Sequence, residues 1–347
     1  MSASASEREP SAAEIGTGAP WRAVREGAPW RAVREGAPAQ VECVVLVVTY
    51  DSARHVTRLL DSLPLAAGGI GTRCIVVDNG SSDQTVPLVR GREDVLLIQA
   101  PGNLGYAGAI NLGRRRAGPC EALMILNPDL ELEPGAIGEL LGELRRTGAG
   151  VVVPSLVNPD GSPYPNLRRE PRVLRALGDG VCGRRWARRP AWLSETVRGE
   201  PAYVRPHDVA WAGGAALLVS AACDAAVGDW DERFFLYAEE TDFFARARRR
   251  GYRVRYVPTA RARHENGGSG RSPDLAALMA VNRIRYFEKY HRRPVSSLFR
   301  SAVILGLALR IHTAEGRASL RAASRRSRWS RLPRADAVPS RPPGDSV

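Results

Sequence analysis

Apolar runs and helical spacings alternate along residues 43–153, and that alternation leaves few architectures open. Residues 43–48 form a β-branched apolar run, and Val56, Leu59, Leu60 and Leu63 then recur at i, i+3, i+4 and i+7. A strand pattern at 74–77, a short helix around 86–89, a strand at 95–98 and a helix over 106–116 follow in turn. Residues 122–126, a helix carrying Ile137, Leu140, Leu141 and Leu144, and a strand at 150–153 complete the series. Such alternation builds βαβ units and a parallel sheet. Residues 41–153 therefore read as a doubly wound, nucleotide-binding half of an α/β protein.

The remainder is less regular. Periodicity fades in a Pro/Arg/Trp-rich stretch over 154–205, then returns with strands at 215–219 and 252–257, a helix around 240–250 and a long helix over 273–290. Residues 1–40 are poor in large apolar groups and read as a disordered leader with no signal-peptide core. They contain a nonapeptide duplication, Ala-Pro-Trp-Arg-Ala-Val-Arg-Glu-Gly at 19–27 and 28–36, too short to build a solenoid. Residues 331–347 read as disordered too. No apolar stretch reaches the roughly 20 residues a membrane span needs.

The net charge is +13 and Lys289 is the only lysine. A pI near 10.3 points to an anionic partner: nucleotide, nucleic acid or acidic lipid. The charge is not gathered into a nucleic-acid recognition motif, so nucleic acid is not expected. Eight arginines against one acid, Glu315, lie between Arg310 and Arg334, next to an apolar segment at 302–309. Residues 294–330 thus read as a basic amphipathic helical tail suited to a membrane surface. Arg184, Arg185, Trp186, Arg188 and Arg189 offer a second interfacial patch. Cys43, Cys74, Cys120, Cys182 and Cys223 show no metal spacing and read as reduced thiols of a cytoplasmic protein.

Four segments carry chemistry. Asn127-Pro128-Asp129 ends the fourth apolar run, where open α/β sheets bind ligands. A carboxylate and an amide oxygen there suit Mg2+ or Mn2+ bridging phosphates, although Asn-Pro-Asp is also good turn chemistry. Thr49-Tyr50-Asp51 and Asp78-Asn79-Gly80-Ser81 end the first two strands on the same edge. An Asp or Asn can read a pyrimidine edge there, and Tyr50 can stack on the ring. In Gly102-Asn103-Leu104-Gly105-Tyr106, amides at a helix start can approach a ligand. Glu239, Glu240 and Asp242 follow Phe234-Phe235-Leu236-Tyr237 at an apparent helix start, where acids meet the dipole or act as a base against aromatics. Asp242 can also pair with Arg246 at i+4. His264 precedes the Gly-rich 266–270 loop. The dinucleotide G-x-G-x-x-G and the phosphate-binding G-x-x-x-x-G-K-[ST] are both absent.

In this order, the pieces resemble a family 2 glycosyltransferase with a GT-A fold, most of all its bacterial rhamnosyltransferase-like branch. The matches are Val48-Thr49-Tyr50, Asp78-Asn79-Gly80-Ser81, Asn103-Leu104-Gly105-Tyr106, Asn127-Pro128-Asp129, residues 234–242 and His264. Asn158-Pro159-Asp160-Gly161-Ser162 and residues 211–214 are similar too, and coverage runs from 41 to 291. The resemblance implies a nucleotide-sugar half at 41–153 and an acceptor-binding, catalytic half at 154–293. It makes Asp129 the main metal ligand, His264 a further ligand and Asn127 the weaker half of the motif. Thr49, Tyr50, Asp78 and Asn79 would hold the base, with Asn103 and Gly105 beside the nucleotide. Many relatives carry Asp-Asp where this chain has Asp78-Asn79. Glu240 falls at the acceptor base, with Glu239 and Asp242 in contention because the position here is Glu.

The implied reaction is inverting, metal-dependent transfer from a dTDP-, UDP- or GDP-linked sugar to a cell-envelope glycan or lipid-linked acceptor, at the inner face of the plasma membrane. A nucleotidyltransferase would want a basic Gly-rich loop after the first strand, which Thr49 to His55 does not supply. A non-catalytic nucleotide-sugar-binding module rests on charge alone.

Overall fold

The computed structural model describes residues 41–183, 189–265 and 272–335. The leader at 1–40 and most of the 331–347 tail lie outside the described residues. The chain runs β1 (Cys43–Thr49), α1 (Val56–Ala67), β2 (Thr72–Asp78), α2 (Thr85–Arg90), β3 (Val95–Gln99), α3 (Gly105–Arg114) and β4 (Ala122–Leu126). Next come β5 (Leu130–Leu132), α4 (Ala136–Thr147), β6 (Val151–Val157), β7 (Pro163–Tyr164), β8 (Leu167–Arg168) and α5 (Val173–Cys182). After β9 (His207–Asp208), β10 (Trp211–Ala212) and β11 (Ala216–Ser220) follow α6 (Ala221–Val227), α7 (Glu239–Arg249) and β12 (Val254–His264). Helices α8 (Pro273–Tyr290), α9 (Arg293–Ala308) and α10 (Ala314–Ser324) follow, with a 3-10 turn at Arg326–Arg331 after them.

The main sheet has the order β3-β2-β1-β4-β11-β6-β12-β5. β1 to β4 are mutually parallel where they pair, and all seven residues of β1 are buried. Side chains alternate between two cores: Val45, Val47 and Met124 meet Leu59, Leu60 and Leu141 on one side. Val44, Leu46 and Ile125 meet Ile110, Phe243 and Phe244 on the other. A strand covered on both faces must be apolar at every position, which explains the unbroken runs in the sequence.

The boundary expected near residue 153 is not a seam in the sheet. β11 lies between β4 and β6, antiparallel to both, and β12 pairs in parallel with β6. Both halves thus share one sheet. The 154–205 stretch that showed no period contains α5, and residues 294–330, expected as a basic helical tail, contain most of α9 and all of α10, packed against α5 and α8. α10 buries Ala322 and Ala323, and α9 buries Phe299 and Val303 against α5 and α8.

Candidate active site

Strand register assembles the site. β1 pairs Thr49 with Asp78 of β2 and Val47 with Leu126 of β4. The ends of all three strands therefore meet at one edge, and Asn127 leaves β4 there, its amide donating to Ala215 O at 2.8 Å. Two residues on, the chain turns back as β5 and pairs antiparallel with the end of β12, with Leu130 opposite His264. Glu265 N donates to Asp129 O at 3.0 Å. This pairing sets His264 Nε2 3.4 Å from Asp129 Oδ1, with Asp129 4% and His264 9% exposed. Beyond them, Arg58 of α1 and Glu265 form an ion pair.

A carboxylate and an imidazole this close fit two neighbouring positions on one divalent cation. Among the described residues no larger cluster of His, Cys, Asp or Glu joins them. Two protein ligands suit Mg2+ or Mn2+, which complete their sphere with water and substrate phosphates.

The residues expected to hold the nucleotide base are more committed than their sequence suggests. Asp78 Oδ1 accepts from Thr49 Oγ1 at 3.1 Å and Ser81 Oγ at 2.5 Å, and its Oδ2 accepts from Gly80 N and Ser81 N. Asn79 donates to Asn103 Oδ1 at 2.9 Å and to Gly105 O at 3.1 Å, while its own oxygen accepts from Leu104 N. Gly105 N and Tyr106 N donate to Asn103 Oδ1 and Phe235 O. The amides at the start of α3 are thus spent inside the protein, and the expected approach of a ligand to them gives way to loop bracing. Gly105 is required by packing: its φ is +72°, and a Cβ would stand 2.2 Å from Phe235 O. Tyr50, 48% exposed, stays open at the rim.

The acid cluster separates into three roles. Asp242 is fully buried and accepts from Arg246 Nε at 2.8 Å, Lys289 Nζ at 2.5 Å and Tyr290 OH at 2.5 Å. It is a structural anchor, so its candidacy as base is withdrawn. Glu239, 3% exposed, has its pKa pushed well above the usual carboxylate range by burial and by adjacent Glu240. Glu240 is also raised by burial, but Arg168 pulls it back toward the charged form. Like charges side by side do not readily both ionise, and the two shifts bias a proton shared by the pair toward Glu239. Glu240 Oε2 has no hydrogen-bond partner among the described residues.

Glu240 is held in place from two sides. Gly214 lies against it, where a Cβ would stand 3.1 Å from Glu240 Cβ. The turn before α7 places Tyr237 and Ala238 at φ 68° and 70°, strained for residues other than glycine. Asn282 of α8, fully buried, clamps that turn by donating to Leu236 O at 2.9 Å and Tyr237 O at 3.3 Å. Sequence reasoning missed Asn282, although a polar residue on the apolar stripe Leu278, Val281 and Ile284 was a readable signal.

Tyr106 joins the two centres. Its hydroxyl donates to Gly214 O at 3.3 Å and its pKa is raised by burial and by Glu239, Glu240 and Asp129 together, so all three acids lie within electrostatic reach of it. Glu240 opens into a cleft of about 1040 Å³ walled by Tyr164, Trp211 and Tyr237. Tyr164 also meets the His264 ring edge-on at 5.4 Å, which brings the cleft wall to the Asp129–His264 pair. Aromatic walls suit the apolar faces of sugar rings.

The model of glycosyl transferase family 2 matches residues 44–193. N-acetylglucosaminyl-diphospho-decaprenol L-rhamnosyltransferase of Mycobacterium tuberculosis is 34% identical over 301 residues, 81% of this chain and 95% of that protein. The chain belongs to glycosyl transferase family 2. This glycosyltransferase is also 27% identical over 214 residues to the low-salt glycan biosynthesis hexosyltransferase Agl10 of Haloferax volcanii, 60% of this chain and 62% of that one. Among solved structures, GalNAc-T7 with UDP, GalNAc and Mn2+ aligns at TM-score 0.55 and 14% identity, over 78% of this chain and 52% of that chain. The Pyrobaculum calidifontis mannosyltransferase PcManGT with GDP-Man and Mn2+ aligns at 0.51 and 15%, over 84% and 88%. These two show the fold, which is GT-A. Membership of the family sets aside the nucleotidyltransferase and the non-catalytic module.

Of the interfacial patch expected at 184–189, residues 184–188 lie outside the described residues. Arg189 is buried and paired with Asp179, which removes it from that role.

Proposed function

We propose that this glycosyltransferase moves a rhamnosyl group, with inversion, from a dTDP-, UDP- or GDP-linked donor to a hydroxyl of a lipid-linked glycan at the inner face of the plasma membrane. The observation that carries the reading is Tyr106, buried within electrostatic reach of both Asp129, which lies beside His264, and Glu240, which opens into a cleft of about 1040 Å³. The Mycobacterium tuberculosis relative, named for rhamnosyl transfer to a diphospho-decaprenol-linked N-acetylglucosamine, supports the sugar and the acceptor class.

Asp129 and His264 would hold Mg2+ or Mn2+, which when bound neutralises charge gathering on the departing nucleoside diphosphate. Tyr50 at the rim covers the base, and Thr49, Asp78, Asn79, Asn103 and Gly105 keep the loops around it in shape. Asn127 fixes the chain entering Asp129. Glu240 takes the proton from the acceptor hydroxyl as that oxygen bonds to the anomeric carbon and the carbon–diphosphate bond breaks. Glu239 stays protonated beside it, so its neighbour bears the only negative charge of the pair. One displacement inverts the anomeric centre.

Incubating the protein with candidate nucleotide sugars, Mn2+ and a short-chain lipid-diphosphate N-acetylglucosamine tests the reading. The product should carry the inverted linkage. Donor consumption with retained anomeric configuration would refute it.

A further inference from the structure

Among the described residues, helices α5 and α9 each leave an apolar face without a partner. In α9 the packed face is Ser296, Phe299, Val303 and Gly306. Beside it runs a second stripe, Val295, Leu298, Leu305 and Leu309, at i, i+3, i+10 and i+14, between 42% and 61% exposed. In α5, Ala176 and Gly178 are buried while Leu174 and Val181, seven residues apart, are half exposed. The helices cross closely, since a Cβ on Gly180 would stand 2.8 Å from Gly306 Cα. Trp192, 56% exposed, sits on a turn whose Leu193 packs against Gly178. Val181, Leu305 and Leu309 therefore lie within about one helical turn of the crossing, and Leu298 continues the same α9 stripe. An apolar patch of this kind on a folded chain marks a contact surface.

Charge says what the contact is. Residues 291–335 carry eleven arginines and one acid, Glu315. Among the described residues, Arg326 with Glu288 is the sole ion pair those arginines make. Two such faces of like charge would repel across a symmetric dimer, whereas anionic headgroups would attract them. Exposed leucines, an interfacial Trp and surplus arginine together match an in-plane lipid contact. The cleft that begins at Glu240 also ends here, walled by Val181 and Leu309.

We propose that this surface seats the protein on an anionic lipid bilayer. Val181, Leu298, Leu305 and Leu309 enter the headgroup boundary, the arginines of 291–335 face the phosphates, and the cleft opens toward the lipid. The use of the cleft rests on the lipid-linked acceptor reading; the bilayer contact does not.

The test is co-sedimentation of the full chain with phosphatidylglycerol/phosphatidylcholine vesicles and with pure phosphatidylcholine. The wild type should bind the anionic vesicles, less so as salt rises. Leu298→Ser with Leu305→Ser should weaken that binding by about tenfold or more. A metal-dependent thermal shift with nucleotide sugar should persist in this variant and certifies its fold. Arg321→Gln with Arg328→Gln, which removes no packed side chain, should lower binding to anionic vesicles and not to neutral ones. The proposal is overturned if the wild type ignores anionic vesicles, if both double variants bind like wild type, or if the serine variant loses self-association while vesicle binding stays. Vesicle binding without any donor-dependent shift would keep the docking surface and sink the functional reading instead.

Discussion

Replacing Asn282 with alanine separates positioning from folding in this site. The side chain donates to Leu236 O and Tyr237 O from a fully buried position, so the substitution removes two hydrogen bonds and leaves both carbonyls without that donor. At about 1 kcal/mol net for each bond, plus a further cost for an unmet buried acceptor, the loss is about 2–3 kcal/mol. For a chain of this size that is a fall in Tm of roughly 3–5 °C. The clamp also holds Tyr237 and Ala238 in left-handed conformations that cost about 1–3 kcal/mol each, so the turn relaxes once released. Glu240, two residues on, then moves. A displacement near 1 Å of a catalytic group costs about 100-fold in rate, and donor binding at Asp129 should not change. The assay pairs a thermal melt with kcat and donor KM, measured well below the melting transition. Val303→Ala, in the α9 core, serves as a variant with a comparable loss of stability. Asn282→Ala with lowered Tm but kcat within about twofold of Val303→Ala would refute the positioning role.

Three further outcomes follow from the geometry. Glu240→Gln should abolish transfer while leaving metal-dependent donor binding intact, and the acid limb of kcat/KM in the wild type should lie above the ordinary glutamate range because burial raises this carboxyl. Glu239 is raised further, so the folded state holds its proton more tightly than the unfolded chain, and stability is lost as pH rises from the ordinary glutamate value through the raised one. Glu239→Gln should therefore melt at the same temperature as wild type near pH 4 and at a higher one at pH 8, roughly the span that a raised glutamate covers. Gly105→Ala forces a Cβ into Phe235 O at positive φ, and a melt should show it strongly destabilised, by about 2 kcal/mol from backbone strain alone.

Much of the fold was legible because β1, β2 and β4 are covered on both faces, which leaves an unmistakable apolar run for each. The long helix over 273–290 was legible as well, and the structure adds its cap, the Ser272 hydroxyl accepting from Leu275 N. What stayed hidden depends on contacts far apart in sequence. β5 is three residues long and has no pattern of its own; its partner β12 lies more than a hundred residues later, and only that pairing puts His264 beside Asp129. β11 reads as an apolar strand, but its antiparallel insertion between β4 and β6 has no local sign. α5 escaped because it is only ten residues long, carries two helix-weakening glycines, Gly178 and Gly180, and is flanked by irregular Pro- and Arg-rich sequence. Asp242 stood in contention behind Glu240, with only its i+4 partner Arg246 readable; Lys289 and Tyr290, from the end of α8, complete its hydrogen bonding.

The central claim is that Asp129, with His264, binds the cation that secures a nucleotide-sugar diphosphate. Isothermal titration of UDP-, GDP- and dTDP-sugars into the wild type and Asp129→Ala, with Mn2+ and then with chelator, tests it most directly. One donor should bind the wild type only with Mn2+, and Asp129→Ala should lose that binding by about 100-fold or more while keeping its melting temperature within a few degrees. Equal donor affinity in Asp129→Ala and wild type, or binding indifferent to chelator, would contradict the account.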